Sequence, residues 1–219
     1  VVRDMFYDGH PELEPGAIVC RVAPSFIRFG NFELPASRGD FDLVRRLADF
    51  CIRRDFPELQ GQGEALYAEW FAQVCERTAV LMGHCMRVGF VHGVMNTDNM
   101  AVSGETIDYG PCAFLDEYHP GKAFSAIDRQ GRYAFGNQPP IAQWNLARLA
   151  ECLLPLIDSD GERAVELARA AIEAFAPAYR AHWLAGQRRK LGLATEEDGD
   201  EALAQDFLEA LQAVEADYT

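Results

Sequence analysis

The feature that most constrains the fold is a long stripe of apolar side chains that leads directly into a polar loop. Between Gly63 and Val88, apolar residues recur at the three- and four-residue spacing of one helix face. We interpret this stretch as a core helix and assign no chemical role to its methionine, cysteine and histidine side chains. A helix buried along one face fixes the place at which the next segment begins, and a functional site needs that precision.

The polar loop, residues 91–110 (VHGVMNTDNMAVSGETIDYG), carries the side chains of a candidate metal and nucleotide site. His92 and Asn99 have the spacing of the kinase catalytic loop, H-R-D-x-x-x-x-N. The kinase Asp is missing because Val94 stands at its position, and Asp98 lies one residue before the Asn instead. A helix, a polar loop, a tight turn and an Asp shortly before a Gly is the layout with which kinase-like folds hold divalent metal on nucleotide phosphates.

Two residues of this loop are the predicted metal ligands. Magnesium prefers hard oxygen ligands and takes only one or two of them from protein. The amide oxygen of Asn99 and the carboxylate of Asp108 meet that requirement, and Asp98 could accept a proton from an attacking hydroxyl. The run Asn-Thr-Asp-Asn is also a common turn sequence, since Asn and Asp cap their own backbone. For His92 we favour a role in bracing the loop over a chemical one.

Several separate segments agree in order and spacing with one known family. They are HGVMNTDNM, IDYGP, FLDEY, GRYAFGNQP and WNLARLAE, and the agreement runs from near Val1 through Leu154. In these segments the chain resembles selenoprotein O, a family of protein adenylyltransferases with a kinase-like fold. The resemblance implies transfer of AMP from ATP to Ser, Thr or Tyr hydroxyls of proteins, with Mg²⁺ or Mn²⁺ as the cofactor.

Two arginines precede the apolar stripe, Arg21 and Arg28 in CRVAPSFIRFGNFE. The planar guanidinium suits phosphate oxygens, but an arginine in an apolar segment can equally be a surface or ion-pairing residue. The resemblance matches both to nucleotide-contacting arginines of the family, and it places Asp108 at the nucleotide as well as at the metal.

The part of a kinase-like site that an N-terminal lobe supplies is not found in residues 1–91. Such sites take a lysine and a Gly-rich loop from an N-terminal lobe, and residues 1–91 contain no lysine and no G-x-G-x-x-G. We therefore expect a C-terminal-lobe fragment, with the N-terminal lobe largely absent, that neither binds ATP tightly nor turns over by itself.

Composition and charge narrow the class of protein. Apolar residues make up 49% of the chain, which is ordinary for a globular protein, and no apolar run is long enough to span a membrane. The net charge of −14 disfavours nucleic acid as a partner. Six cysteines without CxxC pairing predict reduced thiols buried as small hydrophobes. With no apolar leader segment visible, we expect a cytoplasmic bacterial protein without a membrane partner.

The hydrophobic pattern predicts a mainly α (α+β) fold, a kinase-like C-terminal lobe with a few short strands. Residues 1–33 are predicted to be an extended segment at the lobe junction, with a strand at Ala17–Val22. Residues 34–219 are predicted to form the helical lobe around the catalytic loop, with strands near Ala101–Ile107 and a solvated linker at Thr195–Asp200. The predicted helices are Asp40–Arg54, Gly63–Val88, Ile141–Ile157, Glu162–Leu191 and Ala202–Val214, and the second and third of these should pack together.

Three functions stay open from the residues alone. The first is the nucleotidyltransferase, and the second is a small-molecule phosphotransferase of the aminoglycoside or choline kinase kind, which would carry an Asp where Val94 stands. The third is a pseudokinase scaffold. The absence of the kinase Asp at Val94 favours it, and the presence of Asp98, Asn99 and Asp108 argues against it. In the helix that follows Pro140, Trp144 and Asn145 either brace the catalytic loop from below or simply pack.

Overall fold

A computed structural model describes residues 3–5 and 12–218, so residues 1–2, 6–11 and 219 of the predicted segments lie outside it. The described part is mainly helical, as predicted. Its helices are α1 (Gly30–Ser37), α2 (Phe41–Asp55), α3 (Glu64–Arg87), α4 (Gln138–Ile157), α5 (Gly161–Leu191) and α6 (Asp200–Ala213). Two antiparallel pairs of short strands accompany them: β1 (Arg3–Met5) with β2 (Glu14–Gly16), and β3 (Phe90–Val91) with β4 (Ala113–Phe114).

The helix ends follow from local chemistry. Asp40 caps α2, since its side chain accepts a hydrogen bond from the backbone N–H of Leu43 at 3.0 Å. Helix α4 begins earlier than predicted because prolines are tolerated in the first turn of a helix, where the backbone N–H has no intrahelical partner. Helix α5 continues through Pro177 and ends at Gly192 in the left-handed conformation.

Three sequence predictions need correction. The strand predicted at Ala17–Val22 is irregular, and its apolar side chains are exposed because no neighbouring strand pairs with it in the described part of the chain. The predicted extended segment ends early, since α1 begins at Gly30 although it contains Pro35. Strands near Ala101–Ile107 are reduced to single antiparallel bridges.

The linker at Thr195–Asp200 is exposed except at its last residue. Asp200 is buried, and its carboxylate lies 2.6 Å from the guanidinium of Arg188 on α5. This ion pair ties the start of α6 to the end of α5.

The core is built around α3, which packs along α5 and α4. The predicted packing of the Gly63–Val88 helix beside the Ile141–Ile157 helix is therefore confirmed. At one end of α3, the fully buried Trp70 contacts Phe32 of α1 and Phe56 beyond α2, with ring centroids 5.9 and 6.3 Å away. At the other end, the buried Tyr218 donates a hydrogen bond to the carbonyl of Met86 at 2.6 Å. These contacts hold both ends of the central helix.

All six cysteines are free. Cys51, Cys75, Cys85 and Cys152 are buried as predicted, Cys112 is half-buried, and the prediction is wrong for Cys20, which is exposed. Within residues 3–5 and 12–218, none of the helices has the length and apolar character needed to cross a membrane.

Burial of Cys75 predicts a measurable pH dependence of stability. Burial raises the pKa of this thiol from 9.0 to about 12, so the folded protein keeps a proton that the unfolded chain releases. Stability that is present below pH 9.0 is therefore lost as the pH rises toward 12. In urea titrations at pH 8 and pH 10, Cys75→Ala is expected to lose less stability over this interval than the parent. The control Cys20→Ala should behave like the parent, and an equal loss in Cys75→Ala would contradict the prediction.

Candidate active site

The candidate catalytic loop, residues 91–110, rests on two buried amide side chains of α4. Gln138, which is 1% exposed, accepts a hydrogen bond from the N–H of His92 at 2.9 Å and donates one to the carbonyl of Phe90 at 2.8 Å. Asn145, two turns further along the helix, donates to the carbonyl of Met95 at 2.8 Å. The loop backbone is thus held at its start and at its middle by one rigid helix.

These contacts decide between the two interpretations of Trp144 and Asn145. Asn145 braces the loop, whereas Trp144 is 44% exposed and lies between the guanidinium groups of Arg132 and Arg148, 4.8 and 5.3 Å from its ring. Gln138 was missed in the sequence. The only sequence signal was its position: Gln138 lies seven residues before Asn145, so the two amides fall on the same face of a largely apolar helix.

His92 has the environment of a bracing residue. It is 3% exposed, and its Nδ1 accepts a long hydrogen bond from the N–H of Val94 at 3.4 Å, while Nε2 has no partner among the described residues. Burial lowers the pKa of His92 below its ordinary value, and the nearby charge of Asp108 opposes that shift. A neutral imidazole that packs against the edge of Phe90 fits the predicted role.

Asn99 presents one particular atom to the site. Its Nδ2 donates to the carbonyl of Val94 at 2.8 Å. Because a carbonyl can only accept, the amide nitrogen must face Val94, and Oδ1 remains as the oxygen available to a metal ion. The side chain is half-buried, so a ligand can reach it.

Asp108 lies beside the same loop. An antiparallel bridge between Met100 and Thr106 brings the two segments that carry Asn99 and Asp108 side by side. The carboxylate is half-buried, and one of its oxygens accepts the N–H of Gly110 at 3.0 Å, which leaves the other oxygen uncommitted among the described residues. Within the described residues, no group of three His, Cys, Asp or Glu side chains could hold a metal. One amide and one carboxylate oxygen, completed by phosphate and water, nevertheless form the donor set that magnesium accepts.

Both predicted arginines reach this loop. The guanidinium of Arg21 donates to the carbonyl of Ile107 and lies over the ring of Tyr109 at 5.9 Å, so it contacts the residues before and after Asp108. Arg28 is half-buried, pairs through its backbone with Ala101, and has an Nε without a partner in the described part of the chain.

Asp98 is exposed within a short 3₁₀ turn, Thr97–Asn99. The turn lies against α1, since the hydroxyl of Thr97 donates to the carboxylate of Glu33 at 3.2 Å. The structure thus brings Arg21, Arg28, Asp98, Asn99 and Asp108 to one loop, although the first two lie far away in the sequence.

A family model described as Protein adenylyltransferase SelO matches residues 3–219. The chain belongs to this SelO family. The resemblance seen in the sequence is confirmed, and the match extends beyond Leu154, where the recognisable segments ended. The matched range includes the two amides of α4, Gln138 and Asn145. It also includes the loop residues Asp98, Asn99 and Asp108.

Relatives with high identity carry the name protein nucleotidyltransferase YdiU. The relative from Xanthomonas campestris pv. campestris (strain B100) is 56% identical over 224 residues, which cover 100% of this chain and 42% of the relative. Relatives from Cereibacter sphaeroides (strain KD131 / KCTC 12085) and Agrobacterium fabrum (strain C58 / ATCC 33970) are 57% identical over 205 residues, covering 94% of this chain and 42% of each relative. The chain spans less than half the length of these curated relatives.

Removing the brace under the SelO family loop should loosen the loop locally. Asn145→Leu leaves the buried carbonyl of Met95 without its donor, which costs about 1–3 kcal/mol. We expect faster hydrogen exchange of the amides from His92 to Asn99, measured by mass spectrometry, together with a lower urea midpoint. Gln143→Leu is the matched control, since Gln143 donates to the carbonyl of Ile172 on α5 instead. Unchanged exchange in Asn145→Leu would show that Asn145 does not hold the loop.

Proposed function

We propose that this chain is the metal- and base-bearing lobe, kinase-like in fold, of an enzyme that transfers AMP from ATP to Ser, Thr or Tyr hydroxyls of proteins. One observation carries the proposal. The segment 27–29 pairs with the segment 100–102 through the bonds Phe29 N–H to Met100 at 3.0 Å and Val102 N–H to Ile27 at 2.9 Å. This pairing supports the proposal because it brings the backbone of Arg28 alongside the loop that carries the candidate oxygen donors. Membership of the SelO family supports the same chemistry.

Asn99 and Asp108 would hold Mg²⁺ or Mn²⁺ through Oδ1 and the uncommitted carboxylate oxygen. The ion supplies charge neutralisation on the phosphates when it is bound. The charge of Asp108 raises the pKa of His92, and burial outweighs it, so the pKa of His92 lies below its ordinary value.

Asp98 is suited to the proton transfer because it is exposed and beside the ligand residue Asn99. In the proposed step the substrate hydroxyl gives its proton to Asp98 and its oxygen forms a bond to the α-phosphorus. The bond from that phosphorus to the bridging oxygen breaks, and pyrophosphate leaves. Preorganised donors that stabilise such developing charge are each worth about 10²–10³ in rate.

Arg21 and Arg28 are the proposed donors to the phosphates. Arg21 contacts the two chain neighbours of Asp108, and Arg28 has an Nε without a partner among the described residues, a donor suited to a phosphate oxygen. Both belong to the segment before α1. The positive charge of Arg21 and Arg28 is consistent with attack at the α-phosphorus, because it would stabilise the charge that develops on the pyrophosphate leaving group.

The test uses the complete gene product with ATP labelled at either the α- or the γ-phosphorus, with protein as the acceptor. Label reaching protein from the α position, and stopped by a chelator, is the expected result. Transfer from the γ position would identify a kinase and overturn the proposal. Binding of ATP without transfer from either position would favour the pseudokinase scaffold.

A further inference from the structure

Gly30, the first residue of α1, lies against the carboxylate of Asp98. A Cβ atom at position 30 would fall within 3.0 Å of Oδ1 of Asp98, closer than real Cβ atoms approach, and 3.1 Å from its Cγ. The contact is therefore between the helix backbone and the carboxylate itself. No residue with a side chain fits at position 30 while Asp98 keeps this place.

The glycine gives the carboxylate of Asp98 its space and is not needed for backbone conformation. Gly30 does not have a positive φ, unlike Gly39 and Gly63. Glycine in a helix is less favourable than alanine by up to about 1 kcal/mol, because it loses more conformational freedom on folding. Without Asp98 beside it, this position would be better occupied by alanine.

Helix α1, with the residue before it, meets the 3₁₀ turn, with the residue after it, at three places. Phe29 bonds to the carbonyl of Met100 at 3.0 Å, Gly30 contacts Asp98, and Glu33 accepts the hydroxyl of Thr97 at 3.2 Å. Phe29 and Phe32 are fully buried, so this face of the helix cannot shift freely. The first turn of α1 is thus a rigid surface against which the turn with Asp98 is seated.

We infer that Gly30 is a positioning residue that sets the place of the Asp98 carboxylate in the active site. The inference rests on the proposed function for its catalytic consequence, because Asp98 is the base only in that proposal. A side chain at position 30 displaces the carboxylate and leaves the oxygens of Asn99 and Asp108 in place.

A double-mutant cycle tests the placement without any activity measurement. Gly30→Ala is expected to lower the urea midpoint of the parent, since the new methyl group meets the carboxylate. In an Asp98→Ala background the same change is expected to be neutral or to raise the midpoint, because the clash is gone and alanine favours the helix. Gly161→Ala is the matched control: Gly161 is the first residue of α5, and a Cβ there meets nothing within 4 Å. An equal loss of stability from Gly30→Ala in both backgrounds would overturn the inference.

The catalytic consequence is measured in the complete gene product. Gly30→Ala is expected to lower kcat about 10²-fold, within the range for a displaced general base, while KM for ATP stays within twofold of the parent. Gly30→Ala combined with Asp98→Asn should be no slower than Asp98→Asn alone. A rise in KM with kcat unchanged would contradict positioning of the base. If the stability coupling is found and no AMP is transferred by the parent, the proposed function fails and the placement of Asp98 by Gly30 stands.

Discussion

Replacing Asp98 with asparagine in the complete gene product is expected to slow transfer of the α-phosphoryl label from ATP to protein by about 10²–10⁴-fold. Asparagine keeps the size of aspartate, so it fits against Gly30, but its amide does not take up a proton at neutral pH. Because Asp98 is not among the predicted metal ligands, binding of Mg-ATP should be retained. The measurement is label transfer at saturating ATP together with calorimetry of nucleotide binding.

The control is Asp206→Asn, which removes an exposed carboxylate from α6. It should leave both rate and binding unchanged. Asp108→Asn provides the contrast, since loss of a ligand carboxylate is expected to weaken nucleotide and metal binding as well as the rate. Transfer by Asp98→Asn within threefold of the parent would sink the assignment of Asp98 as the base.

The second large effect concerns stability. Trp70→Ala is expected to lower the free energy of unfolding by about 3–5 kcal/mol, the cost of truncating a large buried aromatic side chain. Trp70 is fully buried on α3 and contacts Phe32 and Phe56, so its loss opens a cavity where α1, α2 and α3 meet. Urea unfolding followed by circular dichroism measures the change.

Trp144→Ala is the matched control for the same type of truncation. Trp144 is 44% exposed, and its interactions with Arg132 and Arg148 at the surface are worth about 0.5–1 kcal/mol. Trp70→Phe adds a second comparison, because it keeps an aromatic ring and removes an indole N–H that has no partner among the described residues. Equal losses in Trp70→Ala and Trp144→Ala would contradict the central position of Trp70 in the core.

Much of the secondary structure could be predicted because it follows local patterns. The long helices were placed within a few residues, since a stripe of apolar side chains at helical spacing reports a buried face whatever that face packs against. The cap of α2 is local for the same reason, because Asp40 and its partner Leu43 are only three residues apart. The failures were at α1, at Ala17–Val22 and at the strands expected near Ala101–Ile107. In the first, burial of Phe29 and Phe32 overrides a proline, and in the second a β-branched run lacks a partner strand.

For the site, residue type and spacing alone single out Asp98, Asn99 and Asp108 as candidates for the chemistry, and the family resemblance adds Arg21 and Arg28. Only the tertiary structure decided how they are held. The contacts of Gln138 with His92, Arg21 with Ile107 and Gly30 with Asp98 join segments far apart in the chain. Such contacts leave no periodic trace in the sequence, because they depend on how helices and loops pack and not on the conformation of neighbouring residues.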